Sequence, residues 1–75
     1  MIVFDKLWVL MREKKKSTYW LRENGIVDTG IIRRLRTNDN VETKTLNKLC
    51  AALSCRLEDI AEYVPDDVQQ DSKRD

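Results

Sequence analysis

The sequence predicts an all-α domain, a compact bundle of five short helices over residues 1–64 followed by a polar tail over residues 65–75. Three observations predict it. Apolar residues recur three and four apart along most of the chain, the spacing of one face of a helix. No run alternates apolar and polar residues as a half-buried strand would. The first four periodic stretches open on a residue able to cap a helix, and the first three close in turn on a charge run, a glycine and a turn cluster.

The first helix starts at Asp5, whose carboxylate can cap it, and carries Leu7, Leu10 and Met11 at i, i+3 and i+4 with Trp8 beside the stripe. Lys14, Lys15 and Lys16 end it. Ser17 or Thr18 offers a cap oxygen to a second, short helix from Thr18 to Asn24, whose inward residue is Leu21 and which Gly25 stops. Asp28 or Thr29 caps a third helix that runs to about Thr37; Ile32 and Leu35 lie three apart in it, so Arg33, Arg34 and Arg36 point elsewhere. After the turn cluster Asn38-Asp39-Asn40, a fourth helix begins near Glu42 or Thr43, places Leu46, Leu49, Cys50 and Leu53 on one face, and closes at Ser54-Cys55. The spacing of Leu57, Ile60, Ala61 and Val64 predicts a fifth helix from about Leu57 to Tyr63, ending before Pro65. Residues Asp66 to Asp75 are polar and are expected to fray. The expected core is Leu7, Leu10, Leu21, Ile32, Leu35, Leu46, Leu49, Leu53 and Ile60.

A chain of 75 residues holds one domain at most, and 41% hydrophobic with 36% charged residues is an ordinary composition for a folded one. The N-terminus lacks a basic leader followed by an apolar run, and no stretch approaches the eighteen or so apolar residues of a membrane span, so a soluble, cytoplasmic protein is expected. Cys50 and Cys55 read as small core hydrophobes: with no histidine in the chain a zinc site lacks ligands, and a cytosolic disulfide is unexpected. Without histidine, a glycine-rich phosphate loop or a paired acid–base constellation, an enzyme is not expected, nor is a cofactor or metal.

The net charge of +1 conceals an uneven distribution. Residues 12–36 hold eight cations (Arg12, Lys14, Lys15, Lys16, Arg22, Arg33, Arg34, Arg36) against Glu13, Glu23 and Asp28, a local balance of +5. Residues 37–64 and the tail from Pro65 each carry −2. A charge run is commonly no more than a solvated face, but a basic front with a mildly acidic rear also suits docking of one face on a polyanion.

The segment Thr18-Tyr-Trp-Leu21-Arg-Glu-Asn-Gly25-Ile26-Val27, continued by Asp28-Thr29-Gly30-Ile31-Ile32-Arg33-Arg34-Leu35, resembles the helix-turn-helix of the Cro and phage-repressor type, the XRE family. The resemblance extends from Phe4-Asp5-Lys6-Leu7-Trp8 to Leu57-Glu58-Asp59-Ile60 and covers residues 3–64. It implies a lambda-repressor-like, five-helix DNA-binding domain in which helices 2 and 3 form the reading unit and helix 3 enters the major groove. The packing of two helices over a tight turn needs apolar residues at Leu21, Val27, Ile32 and Leu35, and all four are apolar. Two departures stand out: the family keeps a small residue where Arg22 stands, and its turn glycine aligns with Ile26 while Gly25 lies one position early, which leaves two turn registers open. Gly30 in the first turn of helix 3 weakens that helix by roughly 0.5–1 kcal/mol relative to alanine, or permits close backbone approach to DNA.

In that register the residues turned toward base edges are Asp28, Thr29, Gly30, Arg33, Arg34 and Thr37, with Arg33 and Arg34 as guanine readers, since a guanidinium can donate two bonds to O6 and N7. Thr18 resembles the position of a phosphate contact at the start of helix 2, and Lys16, Arg36 and Asn38 add phosphate contacts at the rim. Trp8 and Trp20 read as packing residues, with stacking on the DNA backbone the alternative for Trp20. Tyr63 and Val64 could belong to a dimer contact or be an ordinary chain end. The expected function is transcriptional regulation, in the form of repression, by a homodimer on an inverted repeat of double-stranded DNA, with no membrane partner and no small-molecule effector. The rival is a protein-interaction module, an antitoxin-like or anti-repressor partner on the same fold, which salt dependence of binding would separate.

Overall fold

The computed structural model describes residues 1–65. The expected tail over residues 66–75 lies outside the described residues. The order is β1 (Ile2–Val3), α1 (Asp5–Glu13), α2 (Thr18–Glu23), α3 (Thr29–Arg36), α4 (Thr43–Leu53), a 3₁₀ turn (Leu57–Asp59) and β2 (Glu62–Tyr63). Among these described residues there are four α-helices, not five. The region expected to form a fifth helix begins with the 3₁₀ turn, whose last helical bond runs from the Ala61 amide to the Leu57 carbonyl at 3.0 Å. It then straightens into β2, which pairs antiparallel with β1 in the register Ile2–Tyr63 and Val3–Glu62. The ribbon also corrects the expectation of a chain without strands. Two-residue strands are too short to show alternation, and the bonds that hold them join residues some sixty positions apart: the terminal amine donates to the Val64 carbonyl at 2.6 Å and the Val64 amide to the Met1 carbonyl at 2.8 Å.

The first helix is capped differently from expectation. Phe4, not Asp5, occupies the capping position and offers no side-chain bond; Asp5 lies inside the first turn, where its charge still suits the positive end of the helix dipole. Phe4 is itself in the core, and its amide donates at 2.8 Å to Oδ1 of Asn38 in the turn after α3. This bond ties the start of the chain to the end of α3.

The core consists of Phe4, Leu7, Met11, Leu21, Val27, Ile32, Leu35, Leu49, Leu53 and Ile60. Leu10 and Leu46, expected inside, are half-buried and pack against its rim beside Trp8 and Trp20. Phe4, Met11 and Val27, outside the expected core, are buried in it. Each fully buried leucine contributes on the order of 1.5–3 kcal/mol of transfer free energy. Cys50 and Cys55 are half-buried free thiols. No helix among the described residues is long and apolar enough to cross a membrane.

Candidate nucleic-acid interface

The α2–turn–α3 unit is built from matched local signals. The Ser17 hydroxyl accepts from the Trp20 amide at 3.1 Å and caps α2; Oδ1 of Asp28 accepts from the Ile31 amide at 2.8 Å and caps α3. Thr18 and Thr29 are thereby left as the first residues of their helices, not as caps. At the end of α2 the Ile26 amide donates to the Leu21 carbonyl at 2.9 Å and the Gly25 amide to the Arg22 carbonyl at 3.1 Å, the paired bonds of a Schellman stop. That stop needs a left-handed residue, and Gly25 supplies it with φ +69°. The register of the turn is fixed by Gly25, with Ile26 packed against the core rather than forming the turn. Leu21, Val27, Ile32 and Leu35 are all buried, as packing across the turn requires.

With Ile32 and Leu35 facing inward, the geometry of α3 divides its cations. Arg33 and Arg36 share a shallow cleft of about 280 Å³ between α2 and α3 with Thr18, Arg22, Thr29 and Ile32. Arg34 lies on the other flank, lining a separate cleft with Ile31, Asn40, Val41, Glu42 and Thr45. The expected readers Arg33 and Arg34 are therefore not brought together, whereas Thr18, Thr29, Arg33 and Arg36 are. A larger cleft of about 430 Å³ runs along the turn, lined by Arg22, Val27, Asp28, Thr29 and Ile31 and closed by Lys48 of α4.

The remaining expected contacts are placed as follows. The carboxylate of Asp28 is engaged as the cap of α3. The Thr37 hydroxyl sits at the end of the helix, with Oγ1 3.1 Å from the Arg33 carbonyl and 3.1 Å from Oδ2 of Asp39. Asn38 is half-buried with its carboxamide oxygen held by the Phe4 amide. A Cβ added to Gly30 would touch only Oδ1 of Asp28, at 3.4 Å, so nothing inside the fold demands glycine there.

Three cations of this region lie over aromatic rings. Nζ of Lys16 is 4.4 Å from the Trp20 ring centroid, the Arg36 guanidinium carbon 5.7 Å from Trp8, and the Arg22 guanidinium carbon 6.0 Å from Tyr19. Such contacts orient a cation without neutralising it. Among the described residues no carboxylate forms an ion pair with Lys16, Arg22, Arg33, Arg34 or Arg36, while Arg56 pairs with Glu58 at 3.1 Å. The face formed by α2 and α3 thus presents unpaired positive charge around an open cleft. Arg22, Tyr19 and Lys48 belong to it and were not among the expected contacts. The one sequence signal for Arg22 was an arginine where a small residue was expected; Lys48 was hidden in a segment of net negative charge.

Comparison with known proteins agrees with this geometry. A crystal structure of the transcriptional regulator VanUg superposes with a TM-score of 0.79 at 31% sequence identity, over 87% of each chain. No curated protein sequence matches the chain. The family described as the Cro/C1-type helix-turn-helix DNA-binding domain matches residues 6–66, and with most of the chain inside that match, this protein belongs to the Cro/C1-type helix-turn-helix family.

Proposed function

We propose that this domain is a sequence-specific transcriptional regulator, a repressor that occupies its operator as a homodimer and reads the major groove with α3. The observation that carries this reading is the convergence of Thr18, Thr29, Arg33 and Arg36 on one open cleft without a carboxylate to neutralise the two arginines. In a helix-turn-helix the second helix lies in the groove and the first crosses the backbone. Arg33 is then the leading base reader, donating to a guanine, with Thr29 and the bare backbone at Gly30 beside it. Asp28, Arg34 and Thr37 flank this centre: Asp28 by way of the cap, Arg34 from the far side of the helix, and Thr37 at its end. Thr18, Lys16 and Arg36 contact phosphates, and Asn38, its oxygen engaged with Phe4, contributes only its Nδ2. The chemistry ascribed to these residues is binding alone, with no catalytic role.

Selection of duplexes from a random pool tests the reading and supplies a binding site on which variants can be compared. On the selected duplex, Arg33→Ala is expected to weaken binding by about 1–3 kcal/mol and to relax preference at one base pair. Lys16→Ala is expected to weaken all sequences about equally and to lower the salt slope by about 0.9. If the two variants behave alike, the division into base reader and phosphate contact is wrong. A failure to enrich any duplex would favour the protein-interaction role.

A further inference from the structure

The geometry points to Arg22 as an additional backbone clamp, a phosphate contact on α2 steered by the ring of Tyr19. The inference rests on the reading of α2 and α3 as the DNA-docking unit and assigns a contact beyond those expected there. Arg22 and Thr29 line both clefts that flank the first turn of α3, so Arg22 stands at the seam between the two helices. Its side chain is exposed, and no carboxylate among the described residues pairs with it.

Tyr19 supplies the second observation. It is 61% exposed, more than any other large hydrophobic residue of α1 to α4, and so adds little to the core. Its ring lies under the Arg22 guanidinium, whose carbon is 6.0 Å from the ring centroid. A flexible arginine loses side-chain freedom when it grips a phosphate; a neighbouring ring that already confines it lowers that loss. Because α2 crosses the backbone while α3 occupies the groove, a guanidinium leaving α2 on the α3 side meets phosphate oxygen before any base edge. Arg33, entering the same cleft from α3, is left to the bases. The competing explanation is that Arg22, in the last turn of α2, merely complements the helix dipole. That role would alter stability and leave DNA binding untouched.

The test uses the full chain with a selected duplex and a scrambled duplex of equal length, titrated across salt concentration. Arg22→Gln is expected to weaken binding to both duplexes by the same factor, about five- to tenfold near 0.1 M salt, and to reduce the salt slope by about 0.9. Arg22→Lys keeps the parental slope. Tyr19→Leu weakens binding to both duplexes about twofold and also keeps the slope, because the charge remains. Both positions being exposed, the variants melt as the parent does. An unchanged slope in Arg22→Gln overturns the clamp, and a loss confined to the selected duplex overturns it in favour of base reading. Parental affinity in Tyr19→Leu overturns the steering by the ring. A parent that binds neither duplex overturns the DNA-regulator reading itself, an outcome separate from all of these.

Discussion

Cys55 shows how one residue's surroundings set its chemistry. Burial raises its pKa from the usual 9.0 to about 11, helped by the neighbouring Cys50 thiol. The thiol therefore stays protonated at neutral pH, and a thiolate is the reactive form. The sign of the linkage follows: a folded-state pKa above the unfolded value means the native chain holds the proton more tightly. That stability is complete below about pH 9 and is lost as the pH rises toward about 11. Melting temperatures measured across this window are expected to fall more steeply for the parent than for Cys55→Ala. Equal slopes would mean that the thiol titrates alike in both states. Neither thiol lies in the α2–α3 clefts, so DNA binding near neutral pH is expected to be indifferent to this change.

All four helices end the same way. Beyond each last turn one residue enters the left-handed region: Lys15 (φ 59°), Gly25 (φ 69°), Asn38 (φ 58°) and Ser54 (φ 52°). In each case the next amide reaches back to the helix, as Lys16 to Met11, Asp39 to Arg34 and Cys55 to Cys50 do at 2.8, 2.8 and 3.1 Å. Glycine occupies this position without steric cost, so Lys15→Gly and Ser54→Gly are each expected to raise stability by about 0.5–1 kcal/mol in urea unfolding. Asn38→Gly is expected to act in the opposite direction, because it removes the acceptor of the Phe4 amide. These local devices explain why α1 to α4 were legible in the sequence to within a residue or so: caps, stops and apolar spacing lie within a few positions of each other. The end of the fold was not legible. Leu57, Ile60, Ala61 and Val64 fit a helix by spacing, yet Leu57 is 52% exposed and the backbone after Ala61 pairs with residues 2 and 3. No local pattern reports a partner sixty residues away. For the same reason the sequence grouped Arg33 with Arg34, whereas only the packing of α3 against α2 on one side and the start of α4 on the other separates them.

Across the molecule, Lys16, Arg22, Arg33, Arg34 and Arg36, none with a carboxylate partner among the described residues, lie on α2, α3 and the turn that precedes α2, while Arg56 pairs with Glu58 beside the ribbon. One module of this size buries too little DNA for strong specific binding, which is why the function is proposed for two copies on half-sites about one helical turn apart. Sedimentation of the chain with a selected duplex is expected to show two protomers per duplex and a symmetric site; one protomer at saturation would overturn the inverted-repeat reading. The ribbon has another consequence. Because Met1 and Val64 exchange backbone bonds, the two ends of the described segment lie side by side. A short peptide joining them, with the chain opened at exposed Asn40 between α3 and α4, would leave every helix and its cap whole. The domain is in this sense a closed circuit, in which the neighbours of each helix are fixed and the point where the chain begins is free to move.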